Sequence, residues 1–367
     1  MIDKFQEEKY NLIRNPFTGY RATKEDLKFW VDREEEIKNW EKVIKETLSN
    51  PTNNYISFII GDYGMGKSLS IYKIEEVCKK YKNIFSITFG FLGEEKLRKP
   101  GIDFIQRIFK FVDFNRIKLT EQQIEKLESI SKEVKNIYYK IFFADNEAKT
   151  LALYFLRGEL VPNQSQMKKL EVIRKINDIE IAKEYFRGFL YLLKLAGYNT
   201  LILLIDEFEY LFSLVSKTQR DIYFALIRGL YDLPTRIRNE TIANMLFFLA
   251  VSKEEYRKME ERKDIGGPVV PFMRRAYLVN ELTPLKKEYV EKLIELRLKY
   301  NRAKEKFEKD PLIPYTKDFV DFIWEDTRGH PGDIIYKCGH TLDVGLKYRV
   351  SELNKKFATK ALKERNL

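Results

Sequence analysis

The sequence predicts an α/β fold: a parallel central sheet with a large all-helical insertion and a C-terminal helical lid. Three observations support this fold class. The apolar run YISFII at 55–60 leads into a glycine-rich loop and then a helical segment. The run LILLIDE at 201–207 reads as another buried strand, and it ends in an acidic pair. Residues 94–196, which lie between them, are rich in Lys, Glu, Leu, Ile and Phe at helical spacing.

The composition is that of a soluble, cytoplasmic protein in a reducing compartment. The chain has 367 residues, 44% of them hydrophobic, which suffices for one large or two ordinary domains. Its start, MIDKFQEEKY, is charged, so we expect no secretory leader, and the apolar runs near Leu201 and Met245 are too short to span a membrane. Two cysteines and two histidines argue against a disulfide framework or a zinc site. Abundant Lys, Glu, Ile and Tyr favour a thermophilic source, although an AT-rich genome gives the same bias.

The charge balance favours a polyanionic partner. The formal net charge is +11 and the pI is about 9.2, and lysine and arginine bind phosphates by releasing their counterions. The excess is greatest at the C-terminus, where only Glu352 and Glu364 are acidic. The basic residues there are Lys347, Arg349, Lys355, Lys356, Lys360, Lys363 and Arg365. This tail is either a basic helical arm for nucleic acid or a solvated chain end.

The predicted elements follow one another in the order that an α/β sheet requires. A helix is predicted at 34–48 and another at 67–81. Lys67 and Asp206 are 139 residues apart, whereas a compact core of this type needs roughly half as many. We therefore predict an inserted subdomain at about 94–196 with four to six helices, whose aromatic residues serve packing. Strands are predicted at 55–60, 84–89, 200–206, 245–251 and 277–282.

The loop GDYGMGKS at 61–68 has the spacing Gly-x-x-x-x-Gly-Lys-Ser that binds phosphates. Glycines allow the backbone N–H groups to surround phosphate oxygens, and the following helix directs its positive end at the anion. Lys67 reaches the β and γ phosphates, and Ser68 offers its hydroxyl to Mg²⁺. A chance glycine-rich turn is the alternative, which the order of strand, loop and helix disfavours. The predicted binding residues are Gly61, Asp62, Tyr63, Gly64, Met65, Gly66, Lys67, Ser68 and Leu69.

Asp206 and Glu207 follow a buried strand at the sheet edge where α/β proteins bind ligands. We predict that Asp206 holds Mg²⁺ through water and that Glu207 orients or deprotonates an attacking water. Ser252, after the strand at 245–251, either senses the γ phosphate or merely begins a turn. Arg274 and Arg275 either reach the nucleotide of a neighbouring subunit or form a solvated pair.

The C-terminal part is predicted to be a small helical lid over the nucleotide. Its helices are predicted at 286–304, 316–326 and 331–348, and the turn RGHPGD at 328–333 precedes the third. The chain is thus divided into a nucleotide-binding core at 1–283, which includes the insertion, and a lid with the basic tail at 284–367.

Together, these motifs resemble those of AAA+ ATPases, in the clade of archaeal origin-recognition initiators and STAND signalling ATPases. NPF at 15–17 and VDREEEI at 31–37 are similar to that clade's entry to the adenine site. LALYFLRGEL at 151–160 and LLIDEFEYL at 203–211 resemble BREX-type P-loop ATP-binding proteins. The clade's usual lid arginine would align with Gly332, which leaves Arg328 or His330 to replace it.

The resemblance implies an ATP- and Mg²⁺-dependent switch that hydrolyses ATP to ADP, forms homo-oligomers and works with DNA or a DNA-bound protein. The initiators also carry a winged helix after the lid. Fewer than about twenty residues follow Tyr348 here, too few to fold as one, so the insertion, the lid and the tail are left to contact DNA. The competing hypothesis is a STAND-like scaffold with negligible turnover and a protein partner. A small-molecule kinase is disfavoured by the size of the helical additions.

Overall fold

The structure is a computed structural model that describes residues 6–19, 21–91, 99, 101–213, 216–237, 240–261, 268–303 and 310–363. Five of its strands form one sheet in the order β2-β3-β6-β1-β7, and β4 and β5 form a separate two-stranded hairpin. The strands are β1 (Tyr55–Ile60), β2 (Ile84–Gly90), β3 (Thr200–Asp206), β4 (Arg236–Ile237), β5 (Glu240–Thr241), β6 (Asn244–Val251) and β7 (Ala276–Glu281).

Helices are distributed along the described part of the chain. Their bounds are α1 (Glu34–Ser49), α2 (Lys67–Cys78), α3 (Ile102–Lys110), α4 (Glu121–Glu125), α5 (Lys132–Phe143), α6 (Asn146–Arg157), α7 (Gln164–Leu170), α8 (Ile179–Leu195), α9 (Tyr210–Ser213), α10 (Lys217–Tyr231), α11 (Lys253–Glu261), α12 (Val269–Met273), α13 (Lys287–Lys299), α14 (Lys317–Thr327), α15 (Pro331–Lys347) and α16 (Lys355–Lys363).

The central strands pair in parallel, as predicted. β1 pairs with β6 from Tyr55↔Leu246 to Ile60↔Val251, and β6 pairs with β3 as far as Leu249↔Ile205. Every residue of β1 and β6 is buried, as expected for strands that are covered on both faces. The five predicted sheet strands are confirmed, each to within one residue at either end.

Residue contacts divide the chain into two compact units. The first, which we call the sheet unit, comprises Lys38–Ile60 and Lys73–Asn280. Its hydrophobic core joins the strands to the helices of the insertion and contains large aromatic side chains, among them Phe58, Phe85, Phe104 and Tyr138. The second, the lid unit, comprises Met1–Ile37, Gly61–Tyr72 and Glu281–Leu367. The predicted division at residue 283 remains a prediction.

The helical insertion of the sheet unit is confirmed. Its described residues form six α-helices, α3 to α8, within the predicted number of four to six. The beginning of the predicted range, 94–98, lies outside the described residues. Between Phe104 and Phe114 the aromatic side chains pack, as predicted: Phe104 lies 6.2 Å from Phe89 and Phe109 lies 5.7 Å from Phe189, centroid to centroid.

The lid unit has a separate core, in which Phe17 packs edge-on against Tyr315 and Tyr315 stacks on Phe319. α13 ends at Lys299 and not near 304 as predicted, because Asn301 turns the chain toward the N-terminal segment. The Asn301 side-chain amide donates to Arg297 O, and its own carbonyl accepts from Ile13 N. α14 and α15 match the predicted lid helices to within a residue.

The C-terminal tail forms α16, which packs within the lid unit. Ala358, Ala361 and Leu362 are buried, and the Nε2 atom of His340 lies 3.1 Å from Ala361 O. The last residues, 364–367, lie outside the described part. Among the described residues no helix combines the length and the apolar character needed to cross a bilayer.

Candidate nucleotide-binding site

The loop between β1 and α2 has a backbone that glycine alone adopts readily. Gly64 and Gly66 have φ of 84° and 96°, in the left-handed region where a Cβ causes strain. The first helical hydrogen bond of α2 runs from Ser70 N to Gly66 O, at 2.9 Å. The amides of Ser68 and Leu69 precede it and so have no acceptor within the helix. The loop therefore offers N–H groups at a helix N-terminus, an arrangement that binds anions.

Lys67 is held inward by the loop itself. Its side chain is 8% exposed, and Nζ donates to Gly61 O at 2.9 Å and to Asp62 O at 3.2 Å. The ammonium group therefore lies among the carbonyl oxygens at the base of the loop, within reach of an anion that the loop amides bind.

The other predicted loop residues differ in exposure. Asp62 is exposed and the Tyr63 ring is 83% exposed, whereas Met65 is buried, so that Met65 can offer only its backbone to a ligand. Ser68 and Leu69 are half-buried at the start of α2. The structure thus places all nine predicted residues on one short segment, with Ser68 at the helix N-terminus as the motif requires.

The turn before α15 lies directly against this loop. A Cβ placed on Gly64 would come within 2.8 Å of His330 Cε1 and 3.2 Å of Gly332 Cα. A Cβ on Gly332 would in turn meet Gly64 Cα at 3.0 Å. The two backbones approach this closely because both residues lack a side chain. Gly332, where the clade's usual arginine would align, therefore has a steric reason to be glycine.

His330 is the N-cap of α15. Its Nδ1 accepts a hydrogen bond from Asp333 N at 3.2 Å, and Pro331 occupies the first helical position. Because Nδ1 is the acceptor, the neutral ring carries its proton on Nε2 and can donate it. Arg328, the other candidate for the lid sensor, ends α14 with φ of 50° and is exposed.

Backbone hydrogen bonds tie the same turn to the chain that enters the lid. Leu285 N donates to Gly329 O at 2.8 Å, and a Cβ on Gly329 would lie 2.2 Å from Leu285 O. Arg33, from the predicted adenine-site segment, donates to Thr283 O at 2.7 Å. Burial lowers the pKa of the Arg33 guanidinium, and the nearby charge of Glu36 opposes that shift. The lid entry and the turn beside the phosphate loop are therefore fixed together.

The carboxyl edge of the sheet unit carries Asp206 and Glu207. Asp206 ends β3, and its Oδ1 accepts from Glu207 N at 2.9 Å. Glu207 has φ of 57°, which is unusual for a residue with a side chain and costs of order 1–3 kcal/mol. Both residues are half-buried. This strained residue directly follows β3, at the position that was predicted to orient water.

Ser252 leaves β6 at the same edge and begins α11. Its hydroxyl oxygen accepts from Glu255 N at 3.2 Å, and its carbonyl accepts from Tyr256 N at 3.0 Å. The hydroxyl therefore caps a helix, which is the simpler of the two predicted roles, and its proton remains a donor. The predicted sensing role stays a prediction.

The two predicted arginines are not equivalent. Arg275 donates to both carboxylate oxygens of Asp232, at 2.8 and 2.9 Å, and to Pro271 O at 2.7 Å. Its guanidinium also lies over the Tyr231 ring, 5.4 Å from the centroid. Arg274 is exposed. Arg275 thus has a structural role in the sheet unit, and of the two arginines Arg274 is the one that presents its side chain to solvent.

The predicted Mg²⁺ ligands, Ser68 and Asp206, belong to different units. Among the described residues no three acidic, histidine or cysteine side chains form a cluster suited to a metal. Mg²⁺ is commonly bound through one or two protein oxygens together with substrate phosphates and water. The Ser68 hydroxyl and the Asp206 carboxylate are donors of this kind.

Comparisons with known proteins agree with this geometry. Residues 112–257, less than half of the chain, match the family model described as BREX system ATP-binding protein BrxC/D. The match includes Asp206, Glu207 and Ser252. No curated protein matches the chain. Among solved structures, the chain is similar to the ORC2 protein of Aeropyrum pernix in its ADPNP–ADP complexes, with 13% identity, a TM-score of 0.52 and coverage of 96% of this chain and 71% of that one.

Two further structures are more distant. Drosophila ORC bound to DNA has 13% identity and a TM-score of 0.47, covering 94% of this chain and 65% of that one. Cdc6p from Pyrobaculum aerophilum has 12% identity and a TM-score of 0.45, covering 92% and 70% respectively.

The chain has the fold of an AAA+ P-loop ATPase, with a parallel central sheet, a helical insertion and a C-terminal helical lid. Residues 112–257 are similar to the BREX ATP-binding family. The resemblances predicted from the sequence, to the origin-recognition clade and to the BREX-type proteins, are confirmed. Both similarities agree with the nucleotide binding that is proposed below.

Sequence reasoning missed two contacts near the predicted residues. It did not find Asp232 as the partner of Arg275, because the two are 43 residues apart and belong to different elements. It also did not find the approach of Gly332 to Gly64, although a glycine directly after His330-Pro331 was a signal that a Cβ is excluded there.

Proposed function

We propose that the protein binds MgATP at the Gly61–Ser68 loop and uses its hydrolysis as a switch that moves the lid turn. The observation that carries the proposal is the contact of Gly64 with His330 and Gly332. A phosphate bound by the loop amides changes the surroundings of Gly64, and the turn at the start of α15 contacts that residue. Loss of the γ phosphate is thereby coupled to the position of a whole helix.

In this proposal each predicted residue has one role. The loop amides and Lys67 bind the triphosphate, Ser68 and Asp206 hold Mg²⁺, and Glu207 orients water for in-line attack. A bound Mg²⁺ would offset the negative charge of the β and γ phosphates. Support comes from the motif, from the buried Lys67 beside the loop carbonyls, and from the strained backbone of Glu207.

We assign Arg274 to coupling between subunits, and Arg275 and Ser252 to supporting roles within one subunit. Exposed Arg274 would reach the nucleotide of a neighbouring copy in a homo-oligomer, and Arg275 would fix the segment through Asp232. Ser252 would help to position water through its remaining proton while it caps α11.

The partner class that we propose is DNA or a DNA-bound protein in the cytoplasm, in replication, transposition or defence against mobile elements. Support comes from the net charge of +11 and from the match to a family of a BREX system. The archaeal, thermophilic source remains a prediction from composition and resemblance.

A STAND-like scaffold with negligible turnover is the second candidate. It is favoured by the Gly329-His330-Pro331 turn, which resembles the corresponding turn of STAND proteins and contacts the phosphate loop. Steady-state hydrolysis with and without duplex DNA separates the two. DNA-stimulated turnover supports the switch, whereas a single slow turnover supports the scaffold.

The substitution His330→Asn tests the coupling. Asparagine keeps the N-cap of α15 by accepting from Asp333 N, so the free energy of unfolding should change by less than about 1 kcal/mol. The ring beside Gly64, with its Nε2 donor, is lost. We expect ATP affinity to fall about tenfold, as for the loss of one hydrogen bond to a charged group. Calorimetric titration with ATP measures the change.

The matched control is His340→Asn in the same helix, because that ring lies by Ala361 O. It should bind ATP like the wild type. Equal ATP affinity of the His330→Asn and wild-type proteins would refute the role of the lid turn in nucleotide binding.

A further inference from the structure

One surface of the lid unit is rich in exposed cations, with Glu352 as an exposed acidic residue near them. We call it the C-terminal basic surface and define it by Lys347, Arg349, Lys356, Lys360 and Lys363, all of which are exposed. We propose that it binds the phosphate backbone of duplex nucleic acid, independently of sequence. This inference rests on the proposed function, which supplies the nucleic-acid partner. It adds the residues that contact that partner.

The helix α16 holds three of these lysines in one row. Lys356, Lys360 and Lys363 are separated by four and three residues, a spacing that puts them on one face over about 10 Å. The opposite face is fixed, because Ala358, Ala361 and Leu362 are buried in the lid unit. The row therefore points to solvent in a defined direction.

The turn after α15 adds two more cations beside an exposed aromatic ring. Lys347, Tyr348 and Arg349 are consecutive, and Tyr348 is 53% exposed. Val350 N donates to Gly345 O at 2.9 Å, and Tyr10 OH donates to Val350 O, so both ends of the turn are held. Arg349 adopts φ of 53°. A fixed turn presents its side chains with less loss of conformational entropy on binding than a flexible tail would.

The charges of this row are not neutralised by the residues that the structure describes. Lys356, Lys360 and Lys363 form no ion pair with any residue in the described part of the chain. The helical insertion differs, because several of its cations are paired. Lys135 contacts Glu125 and Glu128, Lys140 contacts Glu171, and Arg174 contacts Glu133 and Glu184. The insertion, the lid and the tail were the parts predicted to contact DNA. Of the cations compared here, those of the C-terminal basic surface are the unpaired ones, and these attract phosphates.

The geometry favours nucleic acid over a lipid surface. A membrane-binding basic helix inserts an apolar face between lipids. In α16 the apolar face is already buried against the lid. Duplex DNA instead presents about one charge per 1.7 Å along its axis, so a row of about 10 Å can meet several phosphates at once.

Binding of a fluorescent 30-base-pair duplex to the full chain, followed by anisotropy from about 50 to 300 mM salt, tests the inference. The substitution Lys356→Gln/Lys360→Gln/Lys363→Gln should weaken binding at least tenfold and reduce the slope of log K against log salt by about 3. The matched control Lys79→Gln/Lys80→Gln/Lys82→Gln also removes three exposed lysines and should behave as the wild type. Replacing Lys356, Lys360 and Lys363 by arginine should preserve binding.

The inference is overturned if the glutamine variant at 356, 360 and 363 binds the duplex with wild-type affinity and salt slope. It is also overturned if the wild type binds phosphatidylserine vesicles but not the duplex. Binding of ATP is measured in parallel on every variant. A wild-type protein that binds the duplex but not ATP would refute the proposed function and uphold this surface. A wild-type protein that binds ATP, with a glutamine variant that binds the duplex unchanged, would uphold the proposed function and refute this surface.

Discussion

Replacing Lys67 by alanine is expected to cause a large loss of ATP affinity. Nζ is already at the base of the loop, donating to Gly61 O and Asp62 O, and it needs only to exchange these carbonyls for phosphate oxygens. A hydrogen bond to a charged group contributes about 1.5–3 kcal/mol. Loss of contacts with two phosphates should therefore weaken binding at least about 100-fold. Calorimetric titration with MgATP measures the effect.

Lys73→Ala is the matched control, since Lys73 lies in the same helix and pairs with Glu76 at 2.8 Å. It should retain the wild-type affinity. Thermal unfolding without nucleotide shows whether either variant is misfolded. A folded Lys67→Ala protein that binds MgATP as the wild type does would disprove the assigned role.

Replacing Glu207 by glutamine is expected to leave ATP binding intact and to slow hydrolysis about 10²- to 10⁴-fold, the usual contribution of a general base. Glutamine has nearly the same shape but cannot accept a proton from water. The left-handed backbone at this position should accommodate both residues alike, because the change lies at the end of the side chain. Single-turnover hydrolysis of radiolabelled ATP separates the chemical step from binding.

The control is Glu209→Gln, which makes the same chemical change two residues further along the chain. It should turn over at close to the wild-type rate. If Glu207→Gln hydrolyses ATP normally, water activation lies elsewhere, and if Glu209→Gln is the slow variant, the two residues exchange roles.

The sheet strands and the phosphate loop were predictable because their signals are local. β1 and β3 are runs of β-branched and apolar residues, each ending at the residues that carry the motif. The spacing of Gly61, Gly66, Lys67 and Ser68 is set by the shape of a phosphate, so it can be read without knowledge of the rest of the fold.

Features that depend on distant residues were not predictable. No element was predicted for 210–243, which contains α9, α10 and the β4–β5 hairpin. The packing of α10 through Tyr223 and Phe224 in the sheet core gives it a stability that its short apolar pattern did not reveal. Likewise, the basic tail did not reveal that its apolar residues Ala358, Ala361 and Leu362 would pack within the lid unit.

His330 was predicted as a candidate site residue, but its position in the structure was not predictable. The turn RGHPGD marked His330 as a candidate for the nucleotide site. Its capping of α15 through Nδ1 is local, because Asp333 is three residues away, whereas its position beside Gly64 joins residues more than 250 positions apart in the chain. Such contacts follow from the assembly of the lid unit and not from local propensity.

The central claim is that nucleotide on the phosphate loop is sensed by the lid turn, and the two histidines of the chain allow a direct test. In protein labelled with ¹³C at histidine Cε1, two signals are expected, one from His330 beside Gly64 and one from His340 near Ala361. The proposal predicts that MgATP shifts the His330 signal, that MgADP shifts it to a different position, and that His340 stays unchanged. An unchanged His330 signal in protein saturated with MgATP would contradict it.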